Sequence, residues 1–119
     1  MNDVCVIRKT NEVIAKRWTL LILLELYKGE SEWKRFSELK KRLSGVTSKI
    51  LSQRLKELEV EGFICKRIQG EKYPLKSEYR LSMSGKDFIK IIKDIKKWAL
   101  NWKSKGSECN KTDCFKCEF

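Results

Sequence analysis

Five cysteines and no histidine set the limits on the chemistry this chain can carry. Cys109, Cys114 and Cys117 stand at the spacing C-x4-C-x2-C, an incomplete metal-site or iron–sulfur pattern. A fourth thiolate would have to come from Cys5, Cys65 or a second chain. The same three residues could instead form one disulfide and leave one thiol. Such intracellular pairing occurs in hyperthermophiles, and a Lys/Glu-rich composition is compatible with that source. Inert thiols are the remaining alternative. Cys65 lies in a run that reads as a strand, where cysteine acts as a small packing residue. Without histidine there is no usual general base, no His-containing zinc site and no switch near neutral pH. A Gly-rich phosphate loop and a convincing carboxylate pair are missing too. The chain is therefore not expected to be an enzyme, and no cofactor is expected unless the tail cysteines hold a metal.

A second chemistry, hydrogen bonding to a polyanion, is written in residues 45–62, GVTSKILSQRLKELEVEG. Val46, Ile50, Leu51, Leu55 and Leu58 recur on one helix face. The opposite face offers Ser48, Lys49, Ser52, Gln53 and Lys56, with no carboxylate until Glu57. Thr47 is placed to cap the helix and Gly62 to end it. Thr47, Ser48 and Lys49 at the helix start suit phosphate. Ser52, Gln53 and Lys56 could reach base edges, Gln53 as a bidentate partner for adenine. Arg54 falls one position round, for phosphate or for an internal salt bridge. An ordinary solvated helix is the plainer alternative, and charge placement weighs against it. From Trp33 to Lys56 there are eight basic residues, Arg35 among them, against the one acid Glu38. The whole chain carries a formal net charge of +11, which implies a polyanionic partner such as nucleic acid or acidic lipid.

The elements that must position these residues follow in order. The start, MNDVCVIRK, lacks the form of a secretory leader, and the greasiest segment, 18–27, is far short of the about 20 apolar residues that span a bilayer. A soluble, cytoplasmic protein with no membrane partner is expected. Residues 4–16 are loosely helical, and 16–28 (KRWTLLILLELYK) read as a buried central helix stopped by Gly29, with Glu25 at an edge. A small helix over 37–43, capped by Ser37, turns Leu39 and Leu43 inward and Lys40, Lys41 and Arg42 outward. Gly45 then leads into the polar-faced helix, which makes a helix-turn-helix. Strands over 63–68 and 79–82, joined by a loop with Gly70, Pro74, Lys72 and Lys76, make a basic hairpin wing. Ser84 opens the last helix, where Phe88, Ile91, Ile92, Ile95, Trp98, Ala99 and Trp102 form a stripe longer than so small a domain can cover. Paired with a second copy, that stripe becomes a dimer seam; packing on the domain's own core is the alternative.

This order of elements resembles the HxlR-type winged-helix transcriptional regulators, a MarR-like family. The matching stretches are Cys5, residues 16–26 (KRWTLLILLEL), 35–64 (RFSELKKRLSGVTSKILSQRLKELEVEGFI) and 73–85 (YPLKSEYRLSMSG). The resemblance implies a homodimer on operator DNA, with first and last helices as the interface. Val4 and Ile7 would then join Phe88, Ile91, Ile92, Ile95, Trp98 and Trp102 there. It also implies that Cys5 lies where several members carry a redox- or electrophile-sensing thiol. Val6 follows that cysteine where the family usually has proline, and the three-cysteine tail lies outside the pattern. The expected architecture is mainly α with a small β-hairpin wing. Residues 1–103 form the DNA-binding and dimerisation domain, and 104–119 a cysteine-bearing tail. The expected partners are double-stranded DNA, read at a near-palindromic operator, and a second copy. The rival readings are a winged-helix protein-interaction module and a metal or iron–sulfur redox protein built on the tail cysteines.

Overall fold

A computed structural model describes residues 5–73, 75–103 and 108–118. Val4 and Pro74, both singled out above, lie outside them. Helices α1 (Val6–Ile14) and α2 (Thr19–Tyr27) are followed by strand β1 (Lys34–Arg35), α3 (Phe36–Arg42) and α4 (Ser48–Val60). Strands β2 (Ile64–Gln69) and β3 (Lys76–Leu81), helix α5 (Met83–Trp102) and two short 3-10 turns complete the order. The sheet is antiparallel in the order β1-β3-β2, with Ile64 opposite Leu81 and Gln69 opposite Lys76.

The apolar sides of α2, α3, α4 and α5 meet the inner face of this sheet. Ile22, Leu23, Leu39, Leu51, Leu55 and Leu58 are sealed from water, with Val46, Ile64, Leu81 and Ile89 around them. The oily face expected of α4 is thus its buried face. Its ends follow from local chemistry. The Thr47 hydroxyl accepts from the Ile50 amide at 3.2 Å, and Gly62 takes a left-handed φ of +84°. The amides of Gly62 and Phe63 donate back to the Glu59 and Leu58 carbonyls, so the last turn leaves few orphan acceptors.

Several boundaries differ from expectation, each for a physical reason. The central helix starts at Thr19, because Trp18 adopts φ +78° and breaks the turn. Glu25 is buried rather than at an edge. Lys28, also buried, ion-pairs with it at 3.1 Å, and Arg42 approaches at 3.5 Å. Helix α3 starts at Phe36 rather than after Ser37, since the β1–β3 ladder holds the chain extended as far as Arg35. There the Glu38 side chain accepts the Arg35 amide. That ladder adds a third strand to the expected hairpin, and β3 begins at Lys76. Ser82, not Ser84, caps α5: its hydroxyl accepts from the Gly85 amide at 3.1 Å and donates to the Gly62 carbonyl.

The tail returns to the body. The Gly29 amide donates to the Phe115 carbonyl at 3.0 Å, and the Phe115 ring meets Tyr27 edge-on. Arg42 donates to the Glu118 carbonyl at 3.0 Å.

Candidate nucleic-acid interface

The expected reading face is open. Thr47, Ser48, Lys49, Ser52, Gln53 and Lys56 are all exposed along α4 while Leu51, Leu55 and Leu58 anchor it. At thirteen residues this helix is ~20 Å long, enough to lie along several base pairs. Between α4 and the wing runs a groove of about 700 Å³. Arg35, Ser52, Lys56 and Lys76 all line it, with Glu59 as its acid. Lys49 stands exposed at the helix start and Lys72 in the turn after Gly70. Gln53 lines a separate groove on the α1 side, and Lys56 borders both.

The structure adds Lys66, Ser37 and Tyr79 to the groove wall. Strand alternation carries the signal for Lys66, two residues beyond the buried Ile64 on the same sheet face. Its ammonium sits 5.9 Å from the centroid of the Tyr79 ring. Burial holds the Tyr79 phenol above its ordinary pKa, so it stays a neutral hydrogen-bonding group.

Two basic residues are held within the subunit. Arg54 is half-buried, and its guanidinium donates to the Arg17 carbonyl at 3.0 Å and to Glu57 at 3.0 Å. Lys16 reaches Glu57 from the other side, and these contacts, the Lys16 hydrogen bond foremost, hold the Glu57 carboxyl below its ordinary pKa. Arg54 therefore ties α4 to the α1–α2 turn. Lys34 donates to the Leu26 and Ser31 carbonyls at 3.0 and 2.8 Å, and burial lowers its pKa.

A helix buried on one side and cationic on the other, flanked by a basic wing, is a winged helix-turn-helix, and a profile of HxlR-like helix-turn-helix proteins matches residues 13–107. The chain belongs to the HxlR-like helix-turn-helix family. It is 38% identical over 94 residues to the HTH-type transcriptional regulator YvaP of Bacillus subtilis, covering 79% of this chain and 83% of that one. The crystal structure of the HTH-type regulator YtcD superposes with a TM-score of 0.74 at 36% identity, covering 82% and 96%. The reduced form of the transcriptional regulator YodB from B. subtilis gives 0.72 at 26% identity, covering 88% and 100%. The winged-helix fold and the regulator class are thereby shown.

The other named residues divide. On α5, Phe88 packs edge-on against Phe63 and Ile92 is buried, so both belong to the subunit's own core rather than to a seam. Ile91, Ile95, Trp98 and Trp102 are exposed on one side of the helix, and Ile7 is exposed on α1. Cys5 is exposed and caps α1, its Sγ accepting from the Arg8 amide at 3.4 Å. Cys109 is exposed, Cys114 buried, and Cys65 and Cys117 half-buried, and no disulfide joins any of them. Among the described residues no group of three or more carboxylates and thiols is placed to hold a metal. No helix among them is long and apolar enough to cross a membrane.

Proposed function

We propose that the protein regulates transcription as a homodimer that reads a near-palindromic operator. Helix α4 lies in the major groove, and Lys66, Lys72 and Lys76 of the wing meet the adjacent phosphates. The observation that carries this is the shared groove. Arg35 from β1, Ser52 and Lys56 from α4, and Lys66 and Lys76 from the wing converge on one concave basic surface. A symmetric pair would present two α4 helices about 34 Å apart, one duplex turn. The exposed α5 stripe with Ile7 supplies the pairing surface.

Selection of duplexes from a random pool by the purified protein tests this reading. A two-fold symmetric consensus is expected, with affinity that falls as salt rises. Retention of no duplex, or of an asymmetric site by a monomer, would overturn it. Lys72→Ala and Lys76→Ala should weaken binding to all sequences alike.

A thiol response through Cys5 is proposed as an adjunct. It is supported by the exposed sulfur capping α1 and by the likeness to YodB, whose reduced form is one of the solved neighbours. Modification of that sulfur would uncap the helix. Diamide should lower operator affinity of the unaltered protein and leave Cys5→Ser untouched; equal loss in both would remove the idea.

A further inference from the structure

The tail is foreign to the family pattern, yet it builds a cavity. Between α5 and residues 110–114 runs a groove of about 560 Å³, the size of a small-molecule site. Lys93, Lys96 and Lys97 border it from α5, Leu100 and the buried Cys114 give it apolar wall, and Asp113 is its acid. Three cations against one anion leave the groove electropositive. Two of the cations are held in place: Lys96 donates to the Thr112 carbonyl at 2.6 Å and Lys93 to the Tyr27 hydroxyl at 2.9 Å. Ammonium groups fixed in advance cost less entropy when they meet a ligand.

These lysines lie on the side of α5 opposite Ile91, Ile95, Trp98 and Trp102, roughly half a turn away at 3.6 residues per turn. Pairing through the stripe would leave the groove open. The tail wall runs directly into Phe115, which packs on Tyr27 of α2, and Glu118, whose carbonyl is held by Arg42 of α3. A ligand seated against residues 110–114 therefore presses on a segment attached to both helices behind the reading helix.

We propose that this groove is an effector site for a small organic carboxylate with an apolar body, and that its occupancy is transmitted through the tail to the helix-turn-helix. The second half rests on the DNA reading above; the first does not.

Calorimetry on the full chain with cyclohexanecarboxylate, and with its neutral isostere cyclohexanecarboxamide, tests the site. The acid should bind at least about tenfold tighter than the amide, the worth of one charge-assisted hydrogen bond. Lys97→Glu, a surface change, and Leu100→Trp, which fills the groove, should each weaken the acid by about tenfold or more. Bound acid should also slow iodoacetamide labelling of Cys114 relative to Cys5. No acid binding, equal binding of the amide, or indifference to Lys97→Glu would overturn the site. Saturating acid should change operator affinity by about fivefold or more. Binding without that change would overturn the effector role. A ligand-free protein that retains no duplex would overturn the DNA reading and the transmission with it, while calorimetry still decides the site.

Discussion

At the residue scale, α4 holds two sets of polar side chains with different jobs. Gln53 and Lys56 face out, whereas Arg54 and Glu57 face the α1–α2 turn. Gln53→Ala should cost about 1–3 kcal/mol at one operator position and little on unrelated duplexes, as read by anisotropy with base-substituted sites. Lys66→Ala should instead lower affinity for every sequence and reduce the salt slope by about 1. Glu57 ties the helix to the α1–α2 turn through Lys16 and holds Arg54 beside it. Its pKa is lowered by the Lys16 hydrogen bond, so the folded protein keeps the carboxylate where the unfolded chain has begun to take up a proton. The stability this gives is complete above the ordinary carboxylate pKa and is lost as pH falls through the lowered one. Glu57→Gln should cost about 1 kcal/mol at neutral pH. Thermal melts of the two proteins should then converge in acid; a gap that stays constant with pH would remove the carboxylate from this role.

At the scale of elements, the close approach of α5 to the start of β2 is set by Gly85. A Cβ there would press well inside contact distance of the Phe63 backbone carbonyl, which cannot swing away as a side chain could. Gly85→Ala should cost about 1–3 kcal/mol, measured by urea unfolding, by prying α5 from the sheet. Neither this nor the other tertiary choices were legible in sequence. Helix α4 was, because a one-sided apolar pattern, a capping threonine and a terminal glycine all state the same answer. Glu25 was misplaced because its partners, Lys28 and Arg42, come from the next turn and from another helix. Ser37 and Ser84 are good cap residues passed over, since strand pairing and Ser82 fix the helix starts earlier in the chain. Phe88 and Ile92 share the stripe's spacing with Ile95 and Trp98, and only the position of the sheet tells which half turns inward. The exposed polar face of α4 could be drawn from that helix alone. Strand alternation can put Lys66 on the inner face of the wing, but its meeting with α4 and Tyr79 in one wall needs the wing folded back beside the helix.

At the scale of the whole molecule, much apolar surface is left uncovered by one chain. Helix α1 has nine residues and buries none of them, with Val6 and Ile7 more than 70% exposed. So short a helix gains little stability by itself in water and needs packing to persist. On α5, Ile91, Ile95, Trp98 and Trp102 are between 45% and 70% exposed along a single line. A second copy laid along that line would bury large aromatic area and give α1 something to pack against. Trp98→Lys tests this without confusing pairing with charge, because it adds a cation to a chain already at +11. Lone phosphate attraction should then rise slightly, so random duplexes should bind as well or better. Affinity for the symmetric operator should nevertheless fall about a hundredfold or more, since the second half-site is no longer reached at high effective concentration. Sedimentation should show a monomer, and a half-site duplex should bind the variant as tightly as it binds the unaltered chain. If Trp98→Lys stays dimeric and keeps its preference for the symmetric site, the two helices of the operator complex are brought together by some other surface.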